Sequence, residues 1–190
     1  MRRLLAAVAC VALAACATPS TPVVVPADQI PFGLGRSPNP EPSGAPELTF
    51  KVAFVRRPGR QPARLFLVER TESTFESPAA TAVRSLLLGP SDREADRGIS
   101  TEIPREARLL RAQMFGQVVE VDLSREFQAA ASSESFLLRV AQIVTTLTSL
   151  EGVTAARFSI DGEVVSVPTH RGETVDRPVT QADYADVLPK

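Results

Sequence analysis

Residues 133–150, SESFLLRVAQIVTTLTSL, decide the fold. On a helix of 3.6 residues per turn, the apolar side chains gather on one broad side and the polar side chains on the other. The apolar side comprises Phe136, Leu137, Val140, Ala141, Ile143, Val144 and Leu147. The polar side comprises Glu134, Ser135, Arg139, Gln142, Thr145, Thr146 and Ser149, and Leu138 is the one apolar exception on it. We therefore predict a helix packed on a β-sheet, because a sheet is flat and wide enough to cover the whole apolar side.

A strand is the alternative for part of this stretch. Residues 143–146 are β-branched throughout, which lowers their helix propensity. The 18 residues nevertheless contain no glycine or proline and exceed the usual length of a strand, so the helix is favoured. In this orientation Val144 is buried and Gln142 faces solvent. Gln142→Ala is then expected to cost less than about 0.5 kcal/mol, as surface substitutions do.

The N-terminus, MRRLLAAVACVALAAC, has the pattern of an export signal. Arg2 and Arg3 precede an apolar run that is too short to span a bilayer, which predicts a signal peptide over residues 1–15. The end of this run, Leu13-Ala14-Ala15-Cys16, resembles the lipobox of bacterial lipoproteins, in which the cysteine receives a lipid. We therefore predict lipid attachment at Cys16. Cys10 is a poorer candidate because it would truncate the apolar run.

Residues 16–46 are predicted to be the lipidated cysteine and a proline-rich tether. This segment contains eight of the chain's 16 prolines. Removal of residues 1–15 would take two of the 21 basic residues and none of the 22 acidic ones. The exported chain would therefore be mildly acidic, and we do not expect it to bind nucleic acid.

From residue 47 onward, hydrophobic spacing and turn residues predict the element order ββα-ββα-ββ. Strands are predicted at residues 48–54, 64–70, 108–114, 117–123, 155–160 and 164–167. The first helix begins at Ser77-Pro78, with the serine as N-cap and the proline at the first helical position, and ends at Gly89-Pro90. Residues 133–150 supply the second helix.

Two turn signals complete the predicted fold. Asp161-Gly162 is typical of the tight turn in a β-hairpin. Thr180 and Asp183 have the spacing of a capping box and predict a short C-terminal helix near Tyr184. The predicted fold class is α+β, with two helices packed on one face of a mixed or antiparallel sheet.

Five short motifs follow one another along the chain. They are Leu87-Leu88-Gly89-Pro90, Ser100-Thr101-Glu102-Ile103-Pro104, Val121-Asp122-Leu123-Ser124 with Phe127, residues 141–148 (AQIVTTLT) and Phe158-Ser159-Ile160-Asp161-Gly162. In this order they resemble the GerMN domain family of spore-germination and actinobacterial envelope lipoproteins. The resemblance covers about residues 47–168 and leaves residues 169–190 as a C-terminal tail. It implies an extracytoplasmic α+β domain, similar in outline to small ring-building modules of envelope assemblies, with no established enzymatic activity.

Few residues offer catalytic or metal-binding chemistry. His170, the only histidine, lies beyond the last predicted strand and is expected to be exposed, and no Gly-Xaa-Ser-Xaa-Gly motif presents a nucleophile. Residues 92–98 look like a calcium loop, but the glycine comes one position late and Ile103 stands where a bidentate glutamate is required. Asp122 and Ser124 are explained by a strand end and by a turn that Ser124 caps and that seats Phe127. We therefore predict no catalytic, cofactor or metal site.

The sequence thus predicts a non-enzymatic lipoprotein, tethered to the cell membrane on its extracytoplasmic face. Its predicted partners are the membrane, through the lipid on Cys16, and another protein of the cell envelope. The alternative is a small-solute-binding domain with a pocket between the sheet and the helices. A large closed apolar cavity would favour the solute binder, whereas an open sheet face or an unpaired edge strand would favour protein contacts.

Overall fold

A computed structural model describes residues 44–59 and 61–189 of the chain. The predicted signal peptide, Cys16 and the tether up to residue 43 lie outside the described residues. The described part contains nine strands and three α-helices, together with two short 3₁₀ helices. The strands are β1 (Glu47–Arg56), β2 (Arg64–Ser73), β3 (Ile99–Ser100), β4 (Leu109–Phe115), β5 (Val118–Leu123), β6 (Ala155–Ile160), β7 (Glu163–Val164), β8 (Val167–Pro168) and β9 (Thr174–Val175). The helices are α1 (Pro78–Leu87), α2 (Asp92–Ala95) and α3 (Ser133–Leu147), with the 3₁₀ helices at Arg125–Phe127 and Gln181–Val187.

The strands form two main sheets and a small ribbon. One sheet is antiparallel with the order β2-β1-β3, and β1 pairs with β2 along its whole length. The other has the order β4-β5-β6-β7 and is mixed, because β5 and β6 run parallel while the other pairs are antiparallel. The ribbon consists of β8 and β9. The predicted α+β fold class is confirmed.

Helix α1 begins and ends where its sequence predicts. The Ser77 hydroxyl accepts a hydrogen bond from the Ala80 backbone N–H at 3.2 Å, and Pro78 occupies the first turn. Gly89 follows the helix with a φ of +82°, a left-handed conformation that glycine adopts without a Cβ clash. Between these ends, Ala79, Ala82, Val83 and Leu86 are buried in the core.

The last predicted hairpin is only partly correct. Asp161 and Gly162 form the turn, with φ values of +48° and +86°. Only Glu163–Val164 then pairs with β6, whereas Val167–Pro168 pairs with β9. The reason lies in the C-terminal residues, because Val179 exchanges two backbone hydrogen bonds with Ala156 at 2.8 and 2.9 Å and so occupies that part of the β6 edge.

Residues after 168 pack against the rest of the domain. Tyr184 is fully buried, within the 3₁₀ helix Gln181–Val187. The predicted capping box at its start is present, since the Asp183 carboxylate accepts a hydrogen bond from the Thr180 N–H at 2.8 Å. Arg64, at the start of β2, donates to the Asp186 carbonyl oxygen at 3.1 Å and joins this helix to the first sheet.

Residues 133–147 form a helix, α3, as predicted, but the prediction that its polar side faces solvent is wrong. Arg139, Gln142, Thr145 and Thr146 are all buried, and so is Leu138. Two of these polar residues, Gln142 and Thr146, hydrogen-bond the outer edge of β1. Thr146 Oγ1 accepts from the Ala53 N–H at 2.9 Å, and Gln142 Nε2 donates to the Ala53 carbonyl at 3.0 Å.

One turn further along, Ser149 repeats this contact on Lys51. Its hydroxyl accepts from the Lys51 N–H at 3.2 Å and donates to the Lys51 carbonyl at 3.0 Å. A helical turn of about 5.4 Å is close to the rise of about 6.6 Å over two strand residues. Thr146 and Ser149, which are about one turn apart, therefore meet alternate residues of the strand, and these side chains satisfy backbone groups that a neighbouring strand would otherwise satisfy.

Candidate functional site

Most strand edges in the two sheets are covered or protected. The outer edge of β1 is closed by β3, by polar side chains of α3 and by Ser149 just after it. The edge of β6 is closed by β7 and by Val179. The end strand β2 carries a charged and polar run, Glu69-Arg70-Thr71-Glu72, and such residues discourage pairing with another chain.

The end strand β4 has no comparable cover. One edge pairs with β5, and within residues 44–59 and 61–189 no strand or side chain hydrogen-bonds its other edge. Leu110, Met114 and Phe115 are about half exposed, at 51%, 48% and 51%. A seven-residue strand with an open edge and exposed apolar side chains is a template for pairing with a further strand.

Exposed arginines lie on this strand and just before it. Arg105, Arg108 and Arg111 recur every third residue, and all three are exposed. Within the described part of the chain, none of their nitrogen atoms lies within 4.0 Å of a carboxylate oxygen. The edge of β4 is therefore a basic, partly apolar strip on a domain that is otherwise mildly acidic.

An apolar cleft lies between β4 and the N-terminus of α1. Its volume is about 230 Å³, and its apolar walls are Pro78, Ala79, Ala112, Met114, Leu150 and Val153. Pockets for drug-sized ligands occupy roughly 300–1,000 Å³. The cleft therefore has room for one or two side chains of a bound polypeptide.

The polar residues of the motif around Asp122 have structural roles. The Asp122 carboxylate accepts a hydrogen bond from the Gly162 N–H at 2.9 Å and so stabilises the turn after β6. Ser124 occupies the N-cap position before the buried Phe127, as predicted, but its hydroxyl does not cap that turn. It accepts from the Arg108 N–H at 3.0 Å and fixes the segment that enters β4.

His170 is half-buried, and the prediction of an exposed side chain is wrong. Its Nδ1 is buried without a hydrogen-bond partner among the described residues, and its backbone N–H donates to the Asp183 carbonyl at 2.9 Å. Beside it, hydrogen bonds from Arg177 lower the pKa of Asp183 to about 2. The carboxylate of Asp183 is therefore committed to an ion pair with Arg177.

The residues that look like a calcium loop form α2 and the turn after it. Glu94 accepts two hydrogen bonds from Arg70, at 2.6 and 2.7 Å, and one from the Ser91 N–H at 2.8 Å. The pKa of Glu94 is lowered to about 2, chiefly by the Arg70 hydrogen bonds. In the part of the chain that the structure describes, no group of three or more His, Cys, Asp and Glu side chains is arranged to hold a metal ion.

The motif at residues 100–104 is held to α3 by Gln142, a residue that was predicted to face solvent. Gln142 Oε1 accepts from the Glu102 N–H at 3.0 Å, and Nε2 donates to Thr101 Oγ1 at 3.1 Å. Burial acts to raise the pKa of Glu102, but hydrogen bonds from Ser135 and Arg57, each at 2.7 Å, keep it below its usual value. The signal for this role was available, because Gln142 lies within the fourth sequence motif.

Arg139 performs a related structural task. Its guanidinium is buried and donates from Nη1 to the carbonyl oxygens of Phe127 and Ala129, at 2.7 and 2.9 Å. Burial lowers its pKa. These bonds fix the loop before α3, where Ala130 adopts a φ of +50°.

A sequence profile described as "Germane: Sporulation and spore germination" matches residues 53–166. The chain belongs to the Germane family. The match extends from the middle of β1 to the residues after β7, so it includes α1, α3 and all of β4, and it confirms the resemblance to GerMN domains. A comparison with curated protein sequences finds no match for this Germane protein.

Solved structures of GerMN domains share the fold. The tandem GerMN domains of the sporulation protein GerM from Bacillus subtilis superpose with a TM-score of 0.57 at 20% identity, over 73% of this chain and 46% of that one. The first GerMN domain of the same protein gives a TM-score of 0.51 at 16% identity, over 71% of this chain and 98% of that one. A Clostridium perfringens protein assigned as a lipoprotein gives 0.50 at 15% identity, over 74% and 92%. The present chain thus spans less than half of the tandem GerM protein.

Proposed function

We propose that the protein is a membrane-tethered, non-enzymatic lipoprotein whose Germane domain binds another protein of the cell envelope on the extracytoplasmic side. The observation that carries this proposal is the open outer edge of β4, with exposed apolar side chains and Arg111 on the strand and two further exposed arginines leading into it. Polar groups that could suggest catalysis, namely Asp122, Ser124 and Glu94, are occupied by structural hydrogen bonds or an ion pair.

The tether in this proposal rests on the sequence. Cys16 ends a lipobox-like run, and eight prolines separate it from the first strand. Among the described residues, no helix is both long and apolar enough to cross a membrane. A Clostridium perfringens protein assigned as a lipoprotein shares the fold, and a lipid anchor on the present chain accords with that assignment.

Binding of a small solute is the alternative function. The cleft beside β4 is small, at about 230 Å³, and a larger one of about 480 Å³ is an open depression that Arg64, Glu134 and Asp186 help to line. Small-molecule sites are usually concave and largely apolar, with a few placed polar groups. The cleft beside β4 is apolar but smaller than the usual range of roughly 300–1,000 Å³, and the larger depression is open and bordered by charged side chains, so the open strand edge is the better candidate site.

The lipid anchor is tested directly by Cys16→Ser. Because this residue is the predicted acceptor, the variant should leave the membrane fraction and accumulate as a secreted or uncleaved chain. Incorporation of a radiolabelled fatty acid into the wild-type chain, followed by cell fractionation, checks this. Unchanged fractionation of the variant together with an unlabelled wild type would contradict lipidation.

The need for tethering is tested by complementation of a deletion strain. A flexible tether confines two membrane-bound proteins at an effective concentration of roughly millimolar, which a freely diffusing domain does not reach. We therefore expect a secreted, lipid-free chain of residues 44–190 to fold but not to complement. The same residues should restore function when anchored through an unrelated transmembrane helix and a linker of similar length. Full rescue by the free domain at native abundance would favour the solute binder instead.

A further inference from the structure

We propose that the outer edge of β4 binds an extended, acidic segment of the partner protein as an added β-strand. This inference rests on the proposed function, since it names the surface and the chemistry of the partner. Added strands obtain affinity from main-chain hydrogen bonds and specificity from pockets for alternate side chains. The edge of β4 offers both features, together with a positive charge.

The main-chain component comes from the open edge. In a strand, the N–H and C=O groups of alternate residues point to the same edge, so about half of the backbone groups of Leu109–Phe115 face away from β5. Within the described residues, none of these outward groups meets another backbone or side-chain partner. The corresponding groups of β1, at Lys51 and Ala53, are satisfied by side chains of α3 and by Ser149 just beyond its end. The domain thus covers one strand edge with side chains and leaves the other available.

The charge selects an acidic occupant. Residues 105–115 contain three arginines and one glutamate, whereas the chain as a whole has a formal net charge of −1. A second copy paired through the same edge would present the same segment, with three arginines and one glutamate, and would therefore place positive charge beside positive charge instead of neutralising it. Carboxylates on an incoming strand would instead form charge-assisted hydrogen bonds with these guanidinium groups.

The cleft between β4 and α1 can receive apolar side chains of the added strand. It opens beside Ala112 and Met114, and Met114 remains about half exposed at 48%. Side chains of an extended peptide alternate between two faces, so every second residue of an added strand can point toward this cleft. The matching segment therefore alternates acidic and medium-sized apolar residues.

A peptide of this composition provides the first test. The probe is acetylated and amidated Glu-Val-Glu-Leu-Glu-Val-Glu, titrated into ¹⁵N-labelled residues 44–190 and followed by NMR. We expect shift changes centred on residues 105–115 and slower hydrogen exchange of the outward amides of β4. A matched peptide with lysine in place of glutamate should bind at least about tenfold more weakly, because like charges then face each other.

N-methylation of the probe tests strand pairing itself. Two further peptides carry N-methyl groups on alternate amides, one set in each peptide. Only one alternate set can point toward β4 in an added strand, so one peptide should lose binding and the other should keep it. Equal binding of both methylated peptides would overturn strand addition and leave a general charge attraction.

Variants of the protein locate the site. Arg111→Glu should weaken binding of the acidic peptide by about tenfold, whereas Arg93→Glu, an exposed arginine on α2, should leave it unchanged. No binding of the acidic peptide, binding only to vesicles of anionic lipid, or concentration-dependent dimerisation that Arg111→Glu strengthens would each overturn the proposal. These results are independent of the complementation test, so failure of the strand site leaves the tethered function to be judged on its own experiment.

Discussion

Replacing Val144 by aspartate is expected to unfold the domain. Val144 is fully buried in the middle of α3, on the side that packs into the core. An aspartate there would place an unpaired charge among apolar side chains, and breaking such a core costs about 4–5 kcal/mol or more. Because small domains have only about 5–15 kcal/mol of stability, this loss would abolish most of it. Circular dichroism during thermal and urea denaturation measures the change.

The matched control is Val164→Asp. Val164 lies on β7 and is 60% exposed, so the same chemical change there leaves the carboxylate in water. Its effect should remain below about 1 kcal/mol, as for other surface substitutions. Similar loss of stability in the two variants would contradict the burial of α3.

The sequence predicted the helix α3 and its apolar side because a helical period is a local property. It could not assign the polar side, because a polar residue that hydrogen-bonds a strand edge looks the same in sequence as one that faces water. The two alternatives differ only in whether a strand or water faces the polar side chain. The sequence near Gln142 does not reveal this, because Ala53 is 89 residues away along the chain. Leu138, the apparent exception on the polar side, was the available sign that this side is buried.

The candidate site shows the same division between local and distant information. The strand β4 was predicted within one residue of its observed bounds. Its place at the end of the sheet depends on the parallel pairing of β5 with β6, across the whole of α3. The ribbon of β8 and β9 was not predicted, because a strand of two residues is too short to show an alternation of apolar and polar side chains.

Substitution of Gln142 by alanine is expected to cost roughly 3–5 kcal/mol, far more than its polar character suggests. Gln142 is fully buried, and its amide hydrogen-bonds the Ala53 carbonyl, the Thr101 hydroxyl and the Glu102 N–H. Alanine would remove all three bonds and leave buried backbone groups unpaired, each at a cost of about 1–3 kcal/mol. Thermal denaturation measures the total loss of stability.

Two further variants separate hydrogen bonding from volume and position. Gln142→Met keeps most of the side-chain volume, so a loss that remains large in this variant is due to the missing hydrogen bonds. Gln128→Ala removes the same functional group from an exposed position and should cost less than about 0.5 kcal/mol.

Hydrogen exchange adds a local readout, because the Glu102 amide loses its acceptor in both Gln142 variants and should exchange faster than in the wild type. If Gln142→Ala and Gln128→Ala melt at the same temperature, or if the Glu102 amide remains protected, Gln142 does not join α3 to the motif at residues 100–104. If instead the amide is released and the domain is destabilised, the buried glutamine holds both this motif and the edge of β1 in place.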